Sequence, residues 1–264
     1  MYNFEYVRPS SLDEAAKALA SNGEATLLAG GQTLLPTLRQ RLAQPSALVD
    51  LSGISELSGI SLKGNTLEIG ATTSHAAVAA SKDVNKAIPA LAHLASTIGD
   101  NQVRHRGTIG GSIANNDPAA DYPAAVLGLG ATVVTNKRKI AADDFFEGLF
   151  TTALDEGEIV TSVRFPVPKK AGYAKFEQRA SRFALVGVFA AQTANGVRVA
   201  VTGAGENGVF RSSELESALE GSFSADAVSG VSIPANGLMG DLHGSAQYRA
   251  ALIKAVAEDA VAAA

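Results

Sequence analysis

The spacing of apolar residues changes period several times along the chain, and each change marks an element. Leu12, Ala15, Ala16 and Leu19 recur at helical spacing behind Ser11, with Glu14 three residues on. A hydroxyl cap answered by a nearby glutamate opens an amphipathic helix, here over residues 11–20. The short apolar run at residues 25–30 stops at a glycine pair and predicts a buried strand. A helix over residues 33–44 follows, with Leu35, Leu38 and Leu42 on one face and Pro36 tolerated in the first turn. Residues 46–51 form a second strand. Strand, helix and strand in so few residues predict a parallel βαβ unit with a right-handed crossover.

Beyond residue 55 the pattern turns antiparallel. Residues 60–72 alternate around Gly64-Asn65, the signature of a hairpin. Residues 84–99 carry Ile88, Leu91, Ala92, Ala95 and Ile98 on one stripe and predict a helix. A further helix is expected from near Pro118, with Asp117 as its N-cap. A hairpin over 131–142 and a strand over 158–168 follow, the strand ended by Pro166 and Pro168. After this proline pair come two strands over 183–205 that turn at Asn195-Gly196, a short helix over 212–221 and an alanine-rich helix over 245–264. The whole is an α+β chain. Its expected divisions are residues 1–167, with subdomains of about 1–55 and 56–167, and a C-terminal unit of antiparallel strands packed on helices over 168–264.

Composition narrows the chemistry. With 46% hydrophobic and 18% charged residues in 264, the chain can build a sizeable core. A net charge of −4 is poor material for binding a phosphate backbone, so no nucleic-acid partner is expected. The only basic run, Asn136-Lys137-Arg138-Lys139, is expected to be a solvated turn. The absence of cysteine excludes thiolate nucleophiles, zinc thiolate sites and iron–sulfur clusters on this chain. His75, His93, His105 and His243 show no ligand spacing, so no metal site is expected. The first residues lack the basic and apolar segments of an export signal, and the longest apolar run, residues 183–191, is too short to span a bilayer. A soluble, cytoplasmic protein is the expectation.

Two segments have the composition of binding loops. In LLAGGQTLLP (residues 27–36) a strand passes through a glycine pair into a helix, an arrangement that brings backbone close to a ligand and offers unpaired N–H groups to an anion. A tight strand-to-helix turn explains the same residues. Asp50, 20 residues after Gly30, stands where a ribose-binding acid would fall, but the glycines lack the G-x-G-x-x-G spacing of a dinucleotide fingerprint. In RGTIGGSIANNDPAAD (residues 106–121) Gly107, Gly110 and Gly111 accompany Thr108, Ser112, Asn115 and Asn116, with Asp117 and Asp121 beyond. Capping accounts for the aspartates but not for the crowd of short polar side chains. The Gly110-Gly111-Ser112-Ile113-Ala114 stretch misses the last glycine of a nucleophile elbow, and no acid, base or nucleophile cluster is evident, so no catalytic residue is assigned.

Together, AGGQTLLP and VRHRGTIGGSIANNDPAADYPA resemble the FAD-binding medium subunit of the molybdenum hydroxylases, the family of xanthine dehydrogenase and aerobic carbon monoxide dehydrogenase. The resemblance runs from the F.Y..P.S..EA pattern at residues 4–15 to KFEQRASRFALVGVFA at residues 175–190. It implies a two-subdomain FAD-binding domain. Leu28, Ala29, Gly30, Gly31, Gln32, Thr33 and Leu34 would wrap the pyrophosphate. Thr108, Gly111, Ser112 and Asn115 would hold phosphate and ribitol. Asp121 would bond the edge of the isoalloxazine ring, with Ile98, Val160 and Lys175 nearby. It further implies a small [2Fe–2S] subunit and a large molybdopterin subunit as partners, assembled as a dimer of heterotrimers. Electrons would pass from those clusters through FAD to an external acceptor. A stand-alone flavin oxidoreductase and a scaffold that has lost FAD are the alternatives. Two positions depart from the pattern: His105 replaces an asparagine common in the family, and Gln32 stands where some members carry histidine.

Overall fold

The computed structural model describes residues 1–264. Strand β1 (Glu5–Val7) precedes helix α1 (Leu12–Ala20), where Ser11 accepts from the Glu14 amide as the cap. Strand β2 (Ala25–Leu28), helix α2 (Leu34–Arg39) and strand β3 (Ala47–Asp50) complete the expected βαβ unit, with β1 added on the far side of β3. All three strands are parallel. Helix α2 is shorter than the apolar spacing predicts. Arg41 turns left-handed (φ 59°) and ends it, leaving Leu42 74% exposed rather than on a shared apolar face.

The hairpin of β4 (Ile60–Lys63) and β5 (Thr66–Gly70) forms as expected. It leads to helices α3 (His75–Ala80), α4 (Lys82–Ala87) and α5 (Pro89–Ser96). The single helix expected over 84–99 is therefore broken. Pro89 pushes the preceding residue out of the helical region, and Ile88 takes φ −144°, ψ 75°. Helices α6 (Asn101–Arg106) and α7 (Ile109–Asn115) follow, the second inside a segment whose glycine pair disguises it. Thr108 caps α7 through the Gly111 amide.

The helix expected from Pro118 begins later, as α8 (Tyr122–Gly128). Asp117 caps no helix. Its carboxylate accepts from the Ala119 amide, while Thr202 and Gly203 donate to the carbonyls of residues 118 and 120 and hold the segment outside helical geometry. Asp121 occupies the cap position of α8 without bonding its amides, so its charge is not spent on the helix.

Strands β6 (Thr132–Thr135) and β7 (Lys139–Ala141), hairpin β8 (Phe146–Gly148) and β9 (Thr151–Thr152), and β10 (Val160–Pro166) complete the middle of the chain. The antiparallel sheet runs β4-β5-β10-β6-β7. The basic turn between β6 and β7 is more than a solvated loop. Arg138 donates to both oxygens of Glu158, at 3.1 and 3.0 Å, and Asn136 pairs with Ile159. Asn116 is also structural: it sits left-handed (φ 44°) and its amide donates to the carbonyls of Gly148 and Thr151.

The last sheet, β11 (Lys170–Glu177), β12 (Ala184–Thr193), β13 (Gly196–Thr202) and β14 (Phe210–Arg211), is antiparallel and buried on both faces. Val186, Val188 and Ala190 face helices α9 (Ser213–Gly221), α10 (Ala225–Ser229) and α11 (Ala246–Ala262), while Phe189 and Ala191 join the core with α5 and α8. This period-2 division explains why residues 183–191 read as one continuous apolar run.

Two outcomes test this packing. A Cβ on Gly172 would lie 1.7 Å from the Ala260 carbonyl oxygen of α11. Gly172→Ala should therefore cost about 1–3 kcal/mol or more and lower Tm by several degrees in calorimetry. The hydrogen bonds from Arg138, and then from Thr135, pull the Glu158 carboxyl down from 4.5 to about 2. A depressed carboxyl stabilises the fold above its unfolded pKa, and that share is lost as pH falls from 4.5 toward about 2. Glu158→Gln should unfold more easily at neutral pH, and its stability should fall less steeply across that acid window.

Candidate functional site

The two glycine-rich segments meet backbone to backbone. A Cβ on Gly30 would lie 2.1 Å from the Arg106 carbonyl oxygen and 2.8 Å from Gly107 Cα, so only glycine permits the crossing. Beside it opens a cavity of about 740 Å³, within the range of cofactor sites. The cavity is walled by the β2–α2 segment on one side and by α7 on the other. Ile98, Asp121 and Val160 lie further along it, with Ser181, Arg182 and Phe183 of the β11–β12 loop at its mouth.

On the β2–α2 side, the main-chain N–H groups of Gly30, Gly31, Gln32 and Thr33 find no acceptor within the chain. Gly31 is left-handed (φ 73°), which lets consecutive amides turn toward one side. A row of unpaired amides on a cavity wall is a receptor for anionic oxygens. On the opposite wall, Thr108, Gly111, Ser112 and Asn115 fall at the three- and four-residue steps of α7, so the helix presents all of them to the cavity. Ile109, Gly110 and Ile113 occupy its buried face, where a Cβ on Gly110 would lie 2.6 Å from the Ala71 side chain. Gly111 differs. Its added Cβ would meet only Thr108 Oγ1 at 3.0 Å and Ala29 Cβ at 3.9 Å, so the missing side chain leaves room between the two walls.

The far end is polar and dry. Asp121 is 4% exposed, and its Oδ1 accepts from Tyr173 Oη at 2.5 Å and from Lys175 Nζ at 2.9 Å. Burial pushes the Asp121 carboxyl up, while the Lys175 charge and the Tyr173 hydroxyl pull it back. Burial likewise raises the Tyr173 phenol, which stays a donor. His75 also lines the cavity, its ring packed at a tilt of 44° against Tyr122 with centroids 5.3 Å apart. Burial first, and the Arg104 charge second, lower its pKa to about 4, so the imidazole is neutral at pH 7.

Of the fifteen residues singled out from the sequence, all but Leu28 and Lys175 line this one cavity. Leu28 belongs to β2, just outside the wall. The Lys175 ammonium is buried behind the wall, bonded to Asp121 and to the carbonyls of Thr97 and Arg182. Asp50 lies off the cavity, accepting from Tyr6 and from the Ser52 amide, which accounts for it without a ribose. The sequence did not point to His75, Glu158 or Phe183, which line the cavity as well. The capping serine before α3 marks residue 75 only as a helix start. Its place against the second glycine segment, through the bond from its amide to the Gly107 carbonyl, is a long-range contact with no local signal.

The cavity fits a long, mostly flat ligand carrying phosphates: anion-seeking amides at one wall, a small-residue helix opposite, a carboxylate and apolar side chains at the far end. FAD has this chemistry. The profile of the family described as the FAD-binding domain in molybdopterin dehydrogenase matches residues 2–168. The chain is 36% identical to the glyceraldehyde dehydrogenase medium chain of Sulfolobus acidocaldarius, covering 95% of this chain and 94% of that one. It is 35% identical to the nicotine 6-hydroxylase medium subunit of Paenarthrobacter nicotinovorans, covering 94% and 93%. Among solved structures, carbon monoxide dehydrogenase from Hydrogenophaga pseudoflava superposes with a TM-score of 0.87 at 35% identity, over 100% of this chain and 97% of that one. Quinoline 2-oxidoreductase from Pseudomonas putida gives a TM-score of 0.87 at 31% identity, over 99% and 96%. With a family profile across most of its length and relatives matched nearly end to end, the chain belongs to the FAD-binding medium subunits of the molybdenum hydroxylase family and is an oxidoreductase subunit.

Proposed function

We propose that this chain is the electron-transfer subunit of a cytoplasmic molybdenum hydroxylase. In that assembly a small partner carries [2Fe–2S] clusters and a large partner carries the molybdenum cofactor and oxidises the substrate. Two copies of this heterotrimer pair. FAD, when bound, supplies the redox step between the clusters and an external acceptor. The observation that carries this is the convergence of both glycine-rich segments on one cavity with four unanswered amides on its wall.

Each part of the chain then has a task. The amides of Gly30–Thr33, flanked by Ala29 and Leu34, bind pyrophosphate oxygens. Thr108, Ser112 and Asn115 hold the phosphate and the sugar-alcohol linker, with Gly111 leaving room for it. Asp121 would accept from a polar edge of the flavin, and Ile98 and Val160 would help exclude water from it. Residues 1–167 hold the cofactor and residues 168–264 brace it. No helix is long and apolar enough to cross a membrane.

Purified full-length chain should show flavin absorbance and release FAD on denaturation; a colourless chain that takes up no FAD would overturn the assignment. Gly111→Val should abolish flavin uptake with Tm little changed, because the added methyls enter the cavity rather than the core. Affinity capture from the source cells should recover two partners, one with iron and sulfide and one with molybdenum. Substrate oxidation should require the large one.

A further inference from the structure

Both donors to Asp121 fall on the same oxygen. Tyr173 Oη reaches Oδ1 at 2.5 Å and Lys175 Nζ reaches it at 2.9 Å, and no other side chain donates to this carboxylate. Oδ2 is thereby left for the cavity that Asp121 lines. Lys175 has no donor to spare, since its remaining bonds go to the carbonyls of Thr97 at 2.9 Å and Arg182 at 2.8 Å. Tyr173 is 2% exposed and does not itself line the cavity; it reaches it only through Asp121.

The sequence makes room for this bond. Residues 173 and 175 share one face of β11, the face turned toward Asp121. Gly187 of β12 lies opposite Lys175, and a Cβ there would come within 2.8 Å of Tyr173 Oη. A glycine in the second strand of a buried sheet costs stability, and here it clears space for the Tyr173 hydroxyl and for the Thr202 methyl, 2.9 Å from the missing Cβ.

We infer that Tyr173 is a positioning residue for the cofactor: its hydroxyl, acting through Asp121 Oδ1, fixes the carboxylate so that Oδ2 faces the flavin ring, while Lys175 supplies counter-charge from behind. The inference rests on the FAD assignment above. It gives the C-terminal sheet a share in cofactor binding although it lies outside the segment that the family profile covers.

The test is a double-mutant cycle on the full chain stripped of flavin, read as the Kd for FAD by fluorescence quenching and as the absorption maxima of the bound flavin. Tyr173→Phe keeps the ring and removes the hydroxyl. Losing a hydrogen bond to a charged group should weaken FAD binding by about tenfold and shift the bound spectrum. In an Asp121→Asn background the same change should have an effect below about twofold, because the route through Asp121 is already cut. Gly187→Ala, which crowds the Tyr173 hydroxyl and the Thr202 methyl without removing either, should weaken binding in the wild-type background but not in Asp121→Asn, and that difference decides the matter if Tyr173→Phe fails to fold. Unaltered Kd and spectrum in the Phe variant, or effects that simply add to those of Asp121→Asn, would overturn the role of Tyr173 while leaving FAD binding intact. A wild-type chain that binds no FAD would overturn both.

Discussion

Backbone meets backbone where Gly30 crosses Arg106 and Gly107, and the cavity depends on that crossing. Any side chain at Gly30 would strike the Arg106 carbonyl. Two segments some 75 residues apart in sequence can therefore form facing walls only because residue 30 is glycine, while the Cβ missing from Gly107 makes room for the His75 ring. The same small residues remove competing side chains from the wall and leave amides and short hydroxyls as its polar groups. Binding here is a property of main chain held in place, which explains why no catalytic side-chain cluster is needed: a redox cofactor brings its own reactive atoms.

Holding that main chain is the work of the surrounding layers. Thr202, fully buried, ties the carbonyls of residues 118 and 120 to the C-terminal sheet. Behind the wall, Lys175 joins the Thr97 and Arg182 carbonyls. A buried charge is costly unless paired and hydrogen-bonded, and the pairing of Asp121 with Lys175 and Tyr173 meets that cost while keeping a carboxylate in a dry site. Removing either charge alone would leave the other buried without a counter-charge, so the pair is expensive to break.

The strands were legible in the sequence because period-2 alternation and the turn residues Gly64-Asn65 and Asn195-Gly196 are local signals. The ends of helices were not. Pro89 breaks the helix expected over 84–99, and the onset of α8 is delayed by hydrogen bonds from Thr202 and Gly203, residues more than 80 positions away. Helix α7 was hidden by its glycine pair, although its cavity-facing residues were recognised as a polar cluster. The site was legible wherever glycine and short polar side chains line it. It was illegible where it depends on long-range contact: nothing near Lys175 in the sequence says that its ammonium is spent behind the wall rather than on a ligand, and nothing near Asn116 reveals the hairpin carbonyls it clamps.

The central claim is that the ligand lies between the two glycine-rich walls, in contact with their main chain. Hydrogen exchange of the stripped chain with and without FAD, resolved by peptide, tests it most directly. Slowed exchange concentrated in residues 29–34 and 108–115 is the predicted result, because the open amides of the first segment gain acceptors and the ligand shields the already bonded amides of the second from water. Protection confined to other segments, with both of these unchanged, would contradict it.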